Sequence, residues 1–422
     1  MKVLVVGKTA REQAFIQKIS ESKRADKIWC IPGNPQIAKY AECVNIPISD
    51  LTSMVEFAKE NEIDLTIALD EYAIQEGISN IFQQEKLKIF APTLDAAQIG
   101  TSRAFAKKFL FKNKIPTPKY GLFDKEQSAI DYLKKSELPL FVKYDHLAHQ
   151  DSFLCTSYTR AKNTITKVFE EVQKKVVLEE FVEGDSVRFS ILTDGYYVLP
   201  LPYVKEYKRQ LDGEGGAFVK SIGAYTPYNK VTSFAEKDIA EQIVFPVLDA
   251  LNSNGTPYQG FLSIQIIIQP NGNVQVVEFL PTIDIAEATC IFQLLNDDLL
   301  DVIYSATEDA LEDCYQNLSF AEYSVASVAL MSGSYPDNPK LNSVVDGIED
   351  LDEDNIELFY NDVGMNSYYE VVTTGGRPFF MTSKALTINK AVNNLYDNID
   401  IIKFDGKNYR RDIGKIPVYK NY

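Results

Sequence analysis

Lys2-Val3-Leu4-Val5-Val6-Gly7-Lys8-Thr9-Ala10-Arg11-Glu12 runs through four consecutive apolar residues, breaks at a glycine and passes into a helix-like segment. A short apolar run ended by a turn residue reads as a strand. The pattern recurs: strands are expected at Val3–Val6, Ile28–Ile31, Asp64–Leu69 and Lys88–Ala91, and helices at Glu12–Ser20, Ser53–Glu60 and Glu71–Gln84. Strand-helix alternation of this kind makes residues 1–100 an α/β domain, a doubly wound parallel sheet. Such sheets bind ligands beyond the carboxyl ends of their strands. Those ends are Gly7–Arg11, Pro32-Gly33-Asn34 and Leu69-Asp70-Glu71. The Gly7 turn lacks the further glycines of a dinucleotide fingerprint. A helix N-terminus beside Arg11 suits a phosphate monoester, and an ordinary strand-to-helix turn with a solvated arginine is the equal alternative.

Beyond this domain a helix over Ala104–Lys112 stops at Ile115-Pro116-Thr117-Pro118, so residues 101–118 form a connection. Residues 119–185 read as a compact α+β subdomain, with helices at Ser128–Lys135 and Thr164–Lys174 and strands at Leu140–Lys143, Phe153–Tyr158 and Val176–Val182. A central body over 186–323 holds two hairpins, Val187–Leu192 with Tyr196–Leu201 and Gly260–Ile268 with Val274–Phe279, around a helix at Ala235–Leu251. Lys205–Tyr225, with Asp212-Gly213-Glu214-Gly215-Gly216 inside it, reads as a polar, mobile loop. Residues 324–422 complete the chain.

The 422 residues carry 43 Lys+Arg against 59 Asp+Glu, a formal charge of -16. That balance gives no field to gather a polyanion, and no local basic patch stands out, so nucleic acid is not an expected partner. No apolar run reaches the roughly 20 residues of a membrane helix, and the chain opens without a signal-peptide pattern, so a cytoplasmic protein is expected. Five scattered cysteines with no C-x-x-C pair are expected to be reduced, buried thiols. Two histidines, His146 and His149, leave almost nothing for a Ser-His-Asp triad or a multi-histidine metal site, and loop decoration is their default reading.

In order along the chain stand Arg11-Glu12, Pro32-Gly33-Asn34, Ala91-Pro92-Thr93, Ser102-Arg103-Ala104-Phe105-Ala106-Lys107, Val142-Lys143, Glu179-Glu180-Phe181-Val182-Glu183-Gly184, Lys208-Arg209, Gly223-Ala224-Tyr225 and Glu278-Phe279. Ser332-Gly333-Ser334-Tyr335-Pro336, Val371–Arg377 and Tyr409–Gly414 follow. On these motifs the whole chain resembles the phosphoribosylamine-glycine ligases, also called glycinamide ribonucleotide synthetases, of the ATP-grasp superfamily. The resemblance implies an ATP-grasp fold: the parallel α/β N-terminal domain, a lid, a central body and a small α+β C-terminal domain. It implies a purine-biosynthetic ligase in which ATP phosphorylates the glycine carboxylate and the amine of 5-phosphoribosylamine attacks the acyl phosphate. Such chemistry rests on positioning and charge neutralisation rather than on a protein nucleophile. The resemblance places ATP at Lys107, Lys143, Glu179, Glu180, Phe181 and Val182, and Mg2+ at Glu278. It places substrate at Gly7, Arg11, Asn34, Gly223, Tyr225 and Arg377, and catalysis at Lys143, Lys208 and Arg209. A monomer or weak dimer is expected.

The chain departs from the family pattern at the chemistry. The glycine-rich phosphate loop is replaced by Lys143-Tyr144-Asp145-His146-Leu147-Ala148-His149-Gln150-Asp151-Ser152, which puts Asp151 where the family has a lysine. Reversing a charge beside a polyphosphate shifts the balance by about 1 to 4 kcal/mol at ~4 Å. At the metal site Leu280 stands for an asparagine and Thr282 for an arginine, and leucine cannot ligate magnesium. Ser186 replaces a ribose-binding glutamate, and Phe218 and Lys220-Ser221 replace an asparagine and paired glycines. Ala68–Ala73 has likewise lost a Gly-Pro-Glu motif. Asp284 and Lys220 are candidates to substitute for the lost ligand and the lost lysine. The alternative readings are a degenerate, non-catalytic paralogue and a ligase with a changed substrate. ATP is expected to bind weakly with little gain from magnesium, and a phosphosugar to bind in preference to ATP.

Overall fold

Five strands, β1 (Lys2–Gly7), β2 (Lys27–Pro32), β3 (Glu42–Cys43), β4 (Leu65–Ala68) and β5 (Ile89–Phe90), pair in parallel in the order β3-β2-β1-β4-β5. The computed structural model describes residues 1–145, 152–170, 175–231 and 233–415, so His146, His149 and Asp151 lie outside the described residues. Alternation along β1 explains why four apolar residues were needed in a row. Val3 and Val5 enter one core with Phe15 and Ile16, while Leu4 and Val6 enter another with Met54 and Phe82. A sheet buried on both faces demands apolar side chains at every position. The helix expected over Glu71–Gln84 is two, Glu71–Gln75 and Ile78–Gln84, because Gly77 takes a left-handed conformation at φ 79° between them.

The lid is an antiparallel sheet of β6 (Tyr120–Phe123), β7 (Leu140–Tyr144), β8 (Ser152–Cys155) and β9 (Val176–Glu180), ordered β6-β9-β7-β8. Helices Glu126–Leu133 and Tyr158–Glu170 cover one face through Ala129, Leu133, Ala161 and Ile165, packed on Leu140, Val142 and Leu178. Strand alternation turns Phe141, Lys143 and Glu179 to the other face.

In the body and C-terminal part, β10 (Asp185–Thr193), β11 (Val198–Pro200), β12 (Val204–Leu211), β13 (Gly215–Thr226), β14 (Gly260–Ile268), β15 (Val274–Leu280), β16 (Ser324–Leu330), β17 (Glu357–Tyr360), the β18–β19 hairpin (Val363–Met365 with Val371–Thr373) and β20 (Phe379–Ala385) follow in turn. All but β18 and β19 join one nine-stranded sheet, ordered β15-β14-β10-β12-β13-β16-β20-β17 with β11 against β10. The expected mobile loop Lys205–Tyr225 is therefore a correction: it is the long antiparallel pair β12–β13, and its glycines serve the tight tip and a bulged register. The expected break at residue 324 falls inside this sheet, since β13 hydrogen-bonds to β16. The helix expected over Ala235–Leu251 spans Ser233–Ser253 with a π-helical segment at Ala240–Val244, just ahead of Pro246. The thiols form no disulfide among the described residues, but Cys314 is exposed, against expectation, because only Leu311 of its short helix turns inward.

The N-terminal domain is fixed to the body by an aromatic cluster in which Phe261 meets Phe90 at 5.6 Å, Phe292 at 6.0 Å and Phe15 at 6.5 Å between ring centroids, all edge-on. Edge-to-face rings add to the area they bury. Phe261→Ala is expected to lower stability by about 3 to 5 kcal/mol, read as a lower urea midpoint. An unchanged midpoint would remove this cluster as the seam between the two parts.

Candidate active site

Antiparallel register lines up a polar row on the body sheet. Arg188 on β10 lies opposite Gln265 on β14, and Gln265 lies opposite Glu278 on β15. Neighbouring strands sit about 4.8 Å apart, so three residues distant in sequence stand side by side on one face. Leu280 is two residues beyond Glu278 and shares that face. The row floors a cavity of about 590 Å3 roofed by Phe141, Lys143 and Glu179 of the lid.

Glu278 is clamped. Arg103 donates to its Oε1 at 2.9 Å and Lys208 to its Oε2 at 3.1 Å. Burial alone would raise this carboxyl, but Lys208, Arg103, Arg188 and Lys143 together hold it well below the usual range. Arg188, 2% exposed, donates to Glu206 at 3.2 Å and to Ser263 and Gln265 at 3.3 Å each. Gln265 also accepts from Lys208 at 3.1 Å, which ties the row into one network.

Across the cavity Glu179, 2% exposed, stands between Lys143 and Lys107, each 2.5 Å away. Burial would push Glu179 up, and the two lysines outweigh it and keep it ionised. Lys143 is pulled below the usual lysine range by burial, only partly offset by Glu179. The helix Arg103–Lys112 carries Lys107 and supplies Arg103 to the floor, so one helix holds both walls. Phe218 of β13 reaches across to Phe141 at 4.9 Å, and Arg209 lies over the Phe218 ring at 4.1 Å while donating to the Gly216 carbonyl. Phe181 also approaches Phe141, at 6.0 Å, beside Glu180 and Val182 on the cavity wall.

The structure thus brings Lys143, Lys208, Arg209, Glu179, Glu180, Phe181, Val182, Tyr225 and Glu278 to one cavity, with Lys107 directly behind it. Gly7, Arg11, Asn34, Gly223 and Arg377 stand away from its wall, each with a structural reason for its identity. Thr9 and Glu12 close a capping box, and a Cβ at Gly7, at φ 143°, would lie 2.4 Å from the Glu12 side chain. Arg11, 2% exposed, pairs with Glu12 at 2.7 Å and Glu71 at 3.3 Å and donates to the Ile283 carbonyl. The Asn34 amide donates to the carbonyls of Lys8 and Tyr360 and its oxygen accepts from the backbone of Gln36 and Ile37. At Gly223 a Cβ would meet Ile413 at 2.8 Å, and Arg377 donates to the Ser221 carbonyl at 2.7 Å.

Both substitutes considered from sequence line the same cavity, and each also has a partner of its own. Asp284 caps the helix Ile285–Ile291 by accepting from Ala286, and Lys220 pairs with Glu71 at 3.6 Å. Burial would raise Glu71, yet Lys220 and then Arg11 bring it down to about 2. The residues that sequence reasoning missed are Arg103, Arg188 and Gln265. Arg188 did carry a signal, a charge in the middle of the apolar strand Val187–Leu192.

Three family descriptions match in order: phosphoribosylglycinamide synthetase N domain at residues 1–100, its ATP-grasp (A) domain at 101–282 and its C domain at 325–416. A phosphoribosylamine-glycine ligase of Clostridium acetobutylicum is 31% identical over 422 residues, covering 98% of this chain and 100% of its own. Among solved structures, a phosphoribosylamine-glycine ligase of Thermotoga maritima superposes with a TM-score of 0.83 at 22% identity, over 98% of this chain and 100% of that one. The biotin carboxylase domain of a Hydrogenobacter thermophilus 2-oxoglutarate carboxylase, solved with MgADP and bicarbonate, gives 0.70 at 12% identity, over 97% of this chain and 91% of its own. The lid, the body sheet and the cleft between them are those of an ATP-grasp protein, and the chain belongs to the phosphoribosylglycinamide synthetase family.

Proposed function

We propose that this protein is an ATP-dependent carboxylate-amine ligase that joins glycine to 5-phosphoribosylamine. The observation that carries the reading is the convergence of Lys143 from the lid with Arg103, Arg188 and Lys208 from the floor on one cleft. In the proposed reaction a glycine carboxylate oxygen takes the γ-phosphoryl group of ATP and ADP leaves. The amine nitrogen then bonds to the acyl carbon, the C–O bond to phosphate breaks, and inorganic phosphate and a proton depart. Every step moves negative charge between oxygens. Fixed, partly buried cations in a cleft stabilise that charge more than they would in bulk solvent. Phe141 and Phe181 offer the apolar wall that a purine base needs, and the backbone of Glu180–Val182 beside them offers hydrogen-bonding groups.

Magnesium, which the family implies, does not fit the donor set. Glu278 is the carboxylate on its face of β15, both of its oxygens accept from cations, and the next position on that face is the hydrocarbon of Leu280. Among the described residues no group of three or more His, Cys, Asp or Glu side chains is arranged to hold a metal. A dication inserted there meets like charges at roughly 4 kcal/mol per unit pair at ~4 Å and an effective dielectric of about 20.

Leu280 also favours a second reading, a paralogue that binds nucleotide without turnover. Purified protein given ATP, glycine and 5-phosphoribosylamine separates the two. The first reading expects glycinamide ribonucleotide by mass spectrometry together with stoichiometric ADP. Lys208→Met is then expected to lower kcat/KM by about 100-fold with little change in melting temperature. Nucleotide binding with no product would leave only the second reading standing.

Glu287 supports the floor from behind. Its Oε2 accepts from Ser263 at 2.8 Å, the serine to which Arg188 donates, and from Ser190 at 2.9 Å. Burial pushes this carboxyl up to about 7 against the pull of Arg188, with Asp284 adding to the rise. A carboxyl whose folded pKa is raised contributes stability in full below its ordinary pKa of about 4.3 and loses it as pH rises through about 7. Glu287→Gln is therefore expected to gain stability relative to wild type between pH 5 and pH 8, by at most about 3 kcal/mol. Urea unfolding of both proteins at the two pH values measures this, and parallel losses would show that Glu287 is ionised throughout.

A further inference from the structure

Resting on the nucleotide reading above, we infer that Arg103 and Lys208, held on the two oxygens of Glu278, do the work of a divalent cation, so that this cleft binds a nucleoside diphosphate or triphosphate without metal. A metal ion in such a site neutralises phosphate oxygens and fixes them to the protein floor. Here fixed cations are already positioned at that floor. Lys208 donates to Gln265 and Glu278 at 3.1 Å each, and an ammonium carries a third proton. Arg103 is oriented by donating to the Tyr144 carbonyl at 2.8 Å and to Glu278 at 2.9 Å. A guanidinium has five donors in a planar fork, a shape suited to phosphate.

Glu278 acts on this reading as a positioning residue. Strand register puts it next to Gln265, and its charge keeps two long, flexible side chains in one place that would otherwise repel each other. Leu280 agrees with the assignment. An oxygen donor there would be of use only to a metal, whereas a leucine makes that part of the floor apolar and leaves the two cations as the polar contact. Arg188 and Lys143 also bear on Glu278, so the field at this point is set by cations from three separate segments besides Arg103.

Calorimetric titration of the full chain with ADP, once with excess Mg2+ and once with EDTA, tests the inference without any turnover. The two dissociation constants are expected to agree within about threefold. Arg103→Met and Lys208→Met are each expected to weaken ADP binding in EDTA by about tenfold or more, the loss of one charge-assisted hydrogen bond. Leu280→Asn, which restores an oxygen donor beside Glu278, is expected to make Mg2+ tighten ADP binding relative to EDTA. If Mg2+ tightens ADP binding tenfold or more in the wild-type protein, the inference is overturned while the nucleotide reading stands. If ADP binds in neither condition, the nucleotide reading and the inference fall together.

Discussion

Glu179 is almost wholly buried and lies between two ammonium groups, and the geometry of the cleft depends on that arrangement. A carboxylate taken out of water is tolerated only when opposite charge replaces its hydration, and removing one partner from such a pair costs about 3 to 5 kcal/mol. The three members come from β9, β7 and the helix Arg103–Lys112, so two strands of the lid and the connection are held in one geometry. The same helix then extends Arg103 to Glu278. Lid and floor are thus coupled through one rigid element rather than through the loops between them.

The second constraint is strand register. Ser190, Arg188 and Ser186 point to one face of β10, and the partner strand presents Ser263, Gln265 and Ile267 opposite them. A slip by one residue would turn Arg188 into the apolar core beneath Phe189 and Ile191 and expose that core to the cavity. The hydrophobic pattern of the strand therefore fixes the position of the charged row. Glu287 and its two serines close the network from below, which is how a guanidinium 2% exposed is accommodated without solvent.

Several residues that carry the family resemblance do structural work in this chain. Arg11 and Glu71 join the N-terminal domain to Lys220 on β13, and Asn34 closes a loop onto Tyr360 near the C-terminal part. Arg377 secures Ser221 in the same region. These contacts bind three segments distant in sequence. Departures from the family pattern take part in these contacts, as at Lys220 and Ser221, and others fall where the two cations meet Glu278 and where Phe218 fills space beside Phe141.

The parallel sheet was legible in the sequence because a strand buried on both faces must be apolar at every position, and four such runs alternate with amphipathic helices. Lys143, Glu278 and Lys208 stand out in the sequence through family motifs, and the fold brings all three to one cavity. Arg188 was visible only as an unexplained charge inside an apolar strand. Lys205–Tyr225 reads as a loop because of its glycines and charges, while what makes it β12–β13 is pairing with β10 and with β16, the latter far away in the chain. The juxtaposition of Arg103, Lys208, Gln265 and Glu278 could not be read from sequence at all. Local pattern determines which residues face the same side of one strand, but which strands become neighbours is decided by how whole faces bury one another, and only the folded sheet puts those four side chains within hydrogen-bond reach.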